Sequence, residues 1–146
     1  MRRRGDPDLE DAAAGVRAVY GELEQLRFER SCTLRTECCR FQLTGKIPHL
    51  TRGEALVTAR AFKATGRKSL AERADGACPL LHPATSRCMV YAGRPFGCRT
   101  HFCSAAGGPL ARQEVAGLIH RLEEIGERIG GAEARPIAPA LREFLG

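Results

Sequence analysis

The sequence predicts a mainly α-helical fold: one small domain over residues 1–146, with three or so helices packed around an irregular, cysteine-rich loop region. Three observations predict it. Two long segments repeat apolar residues at helical spacing, one near each end. The stretch between residues 75 and 108 has no regular period and is rich in turn residues. All seven cysteines fall between Cys32 and Cys103, with none in the first 31 residues or the last 43.

Asp6 can cap the first helix, with Pro7 at the first helical position, where a missing N–H costs nothing. Leu9, Ala12, Ala13, Val16, Val19, Tyr20, Leu23 and Leu26 then form one buried stripe, so a helix is expected over residues of about 7–28. Residues 32–46 show no clean period and read as a loop. Thr51-Arg52-Gly53-Glu54 has the form of a capping box, with Leu50 in the staple position before it. A second helix should run from about residue 52 to 65, bury Ala55, Leu56, Ala59 and Phe62, and stop at Gly66. Residues 69–73 can add one further turn.

No amphipathic face can stabilise the 75–108 stretch, which holds four cysteines together with Pro79, Pro83 and Pro95. Something else must offset its ordering entropy. A third helix is expected over about 109–129, with Val115, Leu118, Ile119, Leu122, Ile125 and Ile129 as its stripe and Gly130-Gly131 as its stop. A short helical tail over 139–145 follows. No repeat or low-complexity segment appears.

Composition bounds the function. No apolar run is long enough to span a bilayer, so no membrane partner is expected. The net charge of +6 leaves nucleic acid open as a partner, but three of the charges are Arg2-Arg3-Arg4 and the rest are scattered among acids. With neither clustered lysines nor an aromatic platform, nucleic acid is not favoured. There is no Gly-rich phosphate loop, nucleophile elbow or pair of carboxylates placed for acid–base work. The acids read as solvated helix faces.

The start of the chain shows no signal-peptide pattern, so the expected compartment is the reducing cytoplasm, where structural disulfides are rare. An odd cysteine count also argues against a complete disulfide set. Metal ligation by thiolates is the favoured reading, with Cys32, Cys38, Cys39, Cys78, Cys88, Cys98 and Cys103 as the ligand pool. No C-x2-C pair exists, which removes zinc ribbons and thioredoxin-type redox motifs. Buried thiols acting as small hydrophobes are the plain alternative, but burial alone does not cluster them in loops among Pro and Arg. A structural metal supplies about 10–16 kcal/mol of apparent binding energy, comparable to the whole stability of a small domain.

The second cysteine group carries a resemblance. Cys78-Pro79-Leu80-Leu81, Cys88-Met89-Val90-Tyr91, Arg94-Pro95-Phe96-Gly97-Cys98-Arg99 and Cys103 follow in order and nearly in spacing the pattern of the CxxCxxCC or YkgJ-type family. These are bacterial cysteine-cluster proteins described as zinc- or iron-chelating. The resemblance covers residues 32–103, which it marks as a metal-binding core flanked by the helices. Two positions depart from the pattern: Arg35 stands where the family has its second cysteine, and His101 where it usually has an aromatic residue.

The resemblance implies metal chelation and leaves the metal open. Seven thiolates plus His82 or His101 would make eight donors, enough for two tetrahedral zinc sites. One iron–sulfur cluster needs only four thiolates. Adjacent side chains diverge, so Cys38 and Cys39 suit different roles. His101, at an aromatic position, also reads as a packed imidazole. Arg94 and Arg99, within the motif, are expected to offset the thiolate charge from just outside the ligands; Arg35, Arg40 and Arg87 are explained by the abundance of arginine. His49 and His120 read as surface residues, and Tyr91 and Phe96 as walls against water.

Three functions compete: a small metal-binding protein with a structural or redox role; a metal-dependent modification enzyme or enzyme accessory; and a protein- or nucleic-acid-binding module shaped by metal. The enzyme reading comes from a related motif in flagellin lysine-N-methylases, which are much longer, and this chain shows no cofactor-binding signature. A non-enzymatic role is therefore expected.

Overall fold

The computed structural model describes residues 6–25, 48–70, 78–82, 88–90, 93–96, 98, 112–131 and 133–145. Among them are four helices and two strands of two residues each. The fold is mainly helical.

Helix α1, Asp6–Gln25, buries Ala12, Ala13, Val16, Val19, Tyr20 and Leu23, with Leu9 half-buried at its start. These are the stripe positions read from the sequence. Leu26, and the side chains of Asp6 and Pro7 on which the expected cap rests, lie outside the described residues.

Strand β1, His49–Leu50, leads into Thr51, the cap of helix α2, Arg52–Ala64. The capping box is complete. The Glu54 amide donates to Thr51 Oγ1 at 3.4 Å, and the Thr51 amide donates to Glu54 Oε2 at 3.0 Å. Leu50 and Ala55, the staple positions, share one buried cluster. At the far end Gly66 takes φ +89°, a left-handed conformation that closes the helix without a Cβ penalty.

Helix α2 is the central element. It packs against α1 and helix α3, Arg112–Arg128, and against helix α4, Ile137–Leu145. Leu56 and Val57 join the α1–α3 cluster, while Ala55, Ala59 and Phe62 join a second cluster with Ile137, Ala140 and Leu141 of α4. Burial therefore runs without a break from Gly53 to Ala59. The one-sided stripe expected from sequence is too narrow, because a helix covered on two flanks has no solvent face over those turns.

In α3, Val115, Leu122 and Ile125 are buried, and Leu118, Ile119 and Ile129 half-buried. The expected start at 109 lies outside the described residues. Gly130, at φ +92°, ends the helix. Its amide donates to the Glu127 carbonyl at 3.2 Å and the Gly131 amide to the Gly126 carbonyl at 2.9 Å, the double bond of a Schellman close.

Strand β2, Arg135–Pro136, pairs antiparallel with β1, His49 facing Pro136 and Leu50 facing Arg135. Two-residue strands are too short to show alternation, so sequence gives no sign of them. The pairing continues as the Ile137 amide donates to the Pro48 carbonyl at 3.0 Å. That bond satisfies the first amide of α4, which begins at Ile137 rather than Pro139. Pro139 fits within the first turn, where its lost N–H has no partner to miss.

Exposed ion pairs join the helices, Arg60 to Glu10 at 2.6 Å, Arg121 to Glu22 and Arg52 to Glu143, and Arg135 of β2 also pairs with Glu143. Each is worth about 0–1 kcal/mol, so the apolar clusters set the packing. Among the described residues, no helix is long and apolar enough to cross a membrane.

Candidate metal centre

Cys78 opens a turn in which the Leu81 amide donates to the Cys78 carbonyl at 3.1 Å. Leu81 then forms an isolated antiparallel bridge with Cys88, and the Met89 amide donates to the Leu80 carbonyl at 2.9 Å. The two cysteine-bearing stretches thus run alongside one another. Leu80, Leu81 and Val90 anchor them in the cluster of Ala59, Phe62 and Leu141. Cys78 is 5% exposed within that cluster, and Cys88 packs half-buried against it.

The segment leading to Cys98 lies on α2. The Gly93 amide donates to the Val90 carbonyl at 2.7 Å, and the Cys98 amide donates to the Pro95 carbonyl at 3.1 Å. The Thr58 hydroxyl donates to the Gly93 carbonyl at 2.9 Å, and the Phe96 amide to Glu54 Oε1 at 2.7 Å. A Cβ on Gly93 would stand 2.8 Å from the Ala61 Cβ, so only glycine fits this approach. Pro95 and Phe96 are buried and Cys98 is half-buried. Phe96 and Cys98 are helical, and an amide in a first helical turn has no partner within its own helix; a side chain of α2 accepts from the Phe96 amide here.

Glu54 is the residue that sequence reasoning misses. It is 3% exposed, not on a solvated face. Its Oε1 also accepts from the Tyr20 hydroxyl at 3.1 Å, and its Oε2 from the Thr51 hydroxyl at 3.1 Å as well as the Thr51 amide. Burial pushes its carboxyl above the ordinary range, and the bonds from Thr51, Phe96 and Tyr20 pull it part of the way back. The capping-box pattern shows one of these bonds; nothing in the sequence signals the other elements that converge on it.

Of the expected ligands, the structure brings Cys78 and Cys88 into one cluster and sets Cys98 on the neighbouring segment, beyond Phe96. Cys32, Cys38, Cys39, Cys103, His101, Arg99 and Tyr91 lie outside the described residues. His82, next to the Leu81 bridge, and Arg94, between Gly93 and Pro95, are both half-buried. His49 is exposed, and His120 is exposed and paired with Glu124 at 3.1 Å. Among the described residues, no three His, Cys, Asp or Glu side chains gather as a metal cage, and no disulfide occurs. The donor chemistry fits a thiophilic ion: thiol sulfurs, with an imidazole close by in sequence, suit zinc or iron.

A model of the CxxCxxCC family, described as "putative zinc- or iron-chelating domain", matches residues 30–120. The match takes in all seven cysteines and covers more than half of the 146 residues. No curated protein and no solved structure matches the chain.

Proposed function

We propose, because the chain belongs to the CxxCxxCC family, that its two cysteine groups hold zinc or an iron or iron–sulfur centre with a structural or redox role. The ligand pool is Cys32, Cys38, Cys39, Cys78, Cys88, Cys98 and Cys103, with His82 or His101 standing in for the cysteine that Arg35 replaces. Arg94 and Arg99 offset the thiolate charge from outside the ligands. The cytoplasm, where thiols stay reduced, suits such a donor set.

One observation carries the reading. The Leu81–Cys88 bridge brings the cysteine stretches together, and Cys88 packs against the buried cluster that holds Cys78, although among the described residues from 78 to 90 no helix or long strand occurs. A metal–thiolate centre provides the fastening that the irregular segment lacks.

Purification without oxygen, followed by metal analysis and a visible spectrum, tests it. Colourless protein with stoichiometric zinc supports the zinc form. Brown protein with iron and acid-labile sulfide supports the cluster. Metal-free, folded protein with seven titratable thiols refutes both.

A further inference from the structure

We propose, on the footing of the metal-centre reading above, that Glu54, Thr58 and Ala61 of α2 are positioning residues that set Cys98 in place for its metal. The three lie four and then three residues apart, on one face of the helix. Each holds a different point of the segment before Cys98: Glu54 the Phe96 amide, Thr58 the Gly93 carbonyl, Ala61 the Gly93 Cα by close approach. The Gly93–Val90 and Cys98–Pro95 bonds fix the same segment internally.

Packing alone does not account for this stripe. Apolar residues of similar volume would fill the space beneath Gly93 and Phe96, and a buried carboxylate is costly to desolvate. Glu54 and Thr58 instead direct their polar atoms at the Phe96 amide and the Gly93 carbonyl. The Cys98 backbone is thereby ordered by the helix before the metal binds. A ligand presented in this way binds with less loss of chain entropy.

The test is cobalt(II) and zinc binding by chelator competition, with the cobalt ligand-field spectrum as second readout. The proteins compared are wild type, Thr58→Val, Gly93→Ala and the Gly93→Ala/Ala61→Gly double variant. Thr58→Val keeps the side-chain shape and removes the donor. It and Gly93→Ala should each weaken metal binding about 10- to 100-fold and shift the cobalt bands. Ala61→Gly, which opens the space that the new Cβ needs, should restore both in the Gly93→Ala background. Should Gly93→Ala alone not fold, Thr58→Val still decides the matter. Wild-type affinity and an unchanged spectrum in both single variants would overturn the clamp and leave the metal centre standing. Wild-type protein that binds neither metal and, purified without oxygen, carries no iron would overturn the metal centre, and the clamp with it.

Discussion

The Phe96 amide donates to Glu54 Oε1 at 2.7 Å, joining the first turn of the central helix to the backbone just ahead of Cys98. The Tyr20 hydroxyl of α1 shares that oxygen at 3.1 Å. One buried carboxylate thus ties the first helix, the start of the second and the cysteine segment. The helical frame and the candidate centre meet at this group.

Glu54→Ala should therefore destabilise strongly. It orphans the Phe96 and Thr51 amides, both in buried surroundings, and removes an acceptor of the Tyr20 hydroxyl, at about 1–3 kcal/mol per orphaned amide and about 1 kcal/mol for the lost Tyr20 bond. Urea denaturation should show a loss of at least about 3 kcal/mol. Glu54→Gln keeps one carbonyl oxygen for Phe96 and Tyr20 and should cost less.

The same residue sets a pH dependence. Burial raises the Glu54 pKa from the ordinary 4.5, so the folded state retains a proton that the unfolded chain has released. Its contribution to stability is complete below 4.5 and declines as pH climbs through the raised value. Glu10 runs the other way: the Arg60 hydrogen bond and charge lower its pKa. Its contribution is present above the ordinary carboxylate value and is lost as pH falls through the lowered one. Glu10 remains in Glu54→Gln, so the wild-type minus variant difference in urea midpoint isolates Glu54. That difference should move against the wild type as pH rises above 4.5. A constant difference contradicts the assignment.

Phe62 is 1% exposed and packs in the cluster that holds Cys78, Leu80 and Val90. Phe62→Ala should cost about 3–5 kcal/mol. Because the cavity opens in the cluster that holds Cys78, metal retention should fall as well, which dialysis against a chelator measures.

Gly130 at φ +92° closes α3. Gly130→Ala forces a Cβ into the left-handed region and should lower stability by about 1 kcal/mol, read as a lower melting temperature.

Much of the helical frame was legible in the sequence, because a helix that buries one stripe writes its period into the chain. Leu9 to Leu23 in α1 and Val115 to Ile129 in α3 show it, and Thr51 with Glu54 announces the start of α2. The two-residue strands were not legible, since no period fits in so few positions. The width of burial on α2 was not legible either. It depends on α4 and the 78–90 stretch arriving from far along the chain to cover Ala59 and Phe62. Of the candidate site, the cysteines and the Arg94-Pro95-Phe96 motif stand out in sequence as chemistry. Glu54 and Thr58 do not, because a Glu at the third helical position and a Thr within a helix are ordinary until a distant backbone amide and carbonyl dock on them. Gly93 is one of many turn residues between 75 and 108, and nothing in the sequence marks its close approach to Ala61.

The central claim is that thiolates from the two separated cysteine groups share in holding metal. Metal content per chain in Cys39→Ser and Cys98→Ser, each purified without oxygen beside wild type, tests it most directly. The account predicts that either substitution lowers the bound metal and the melting temperature. Full metal content and unchanged melting in both variants would contradict it.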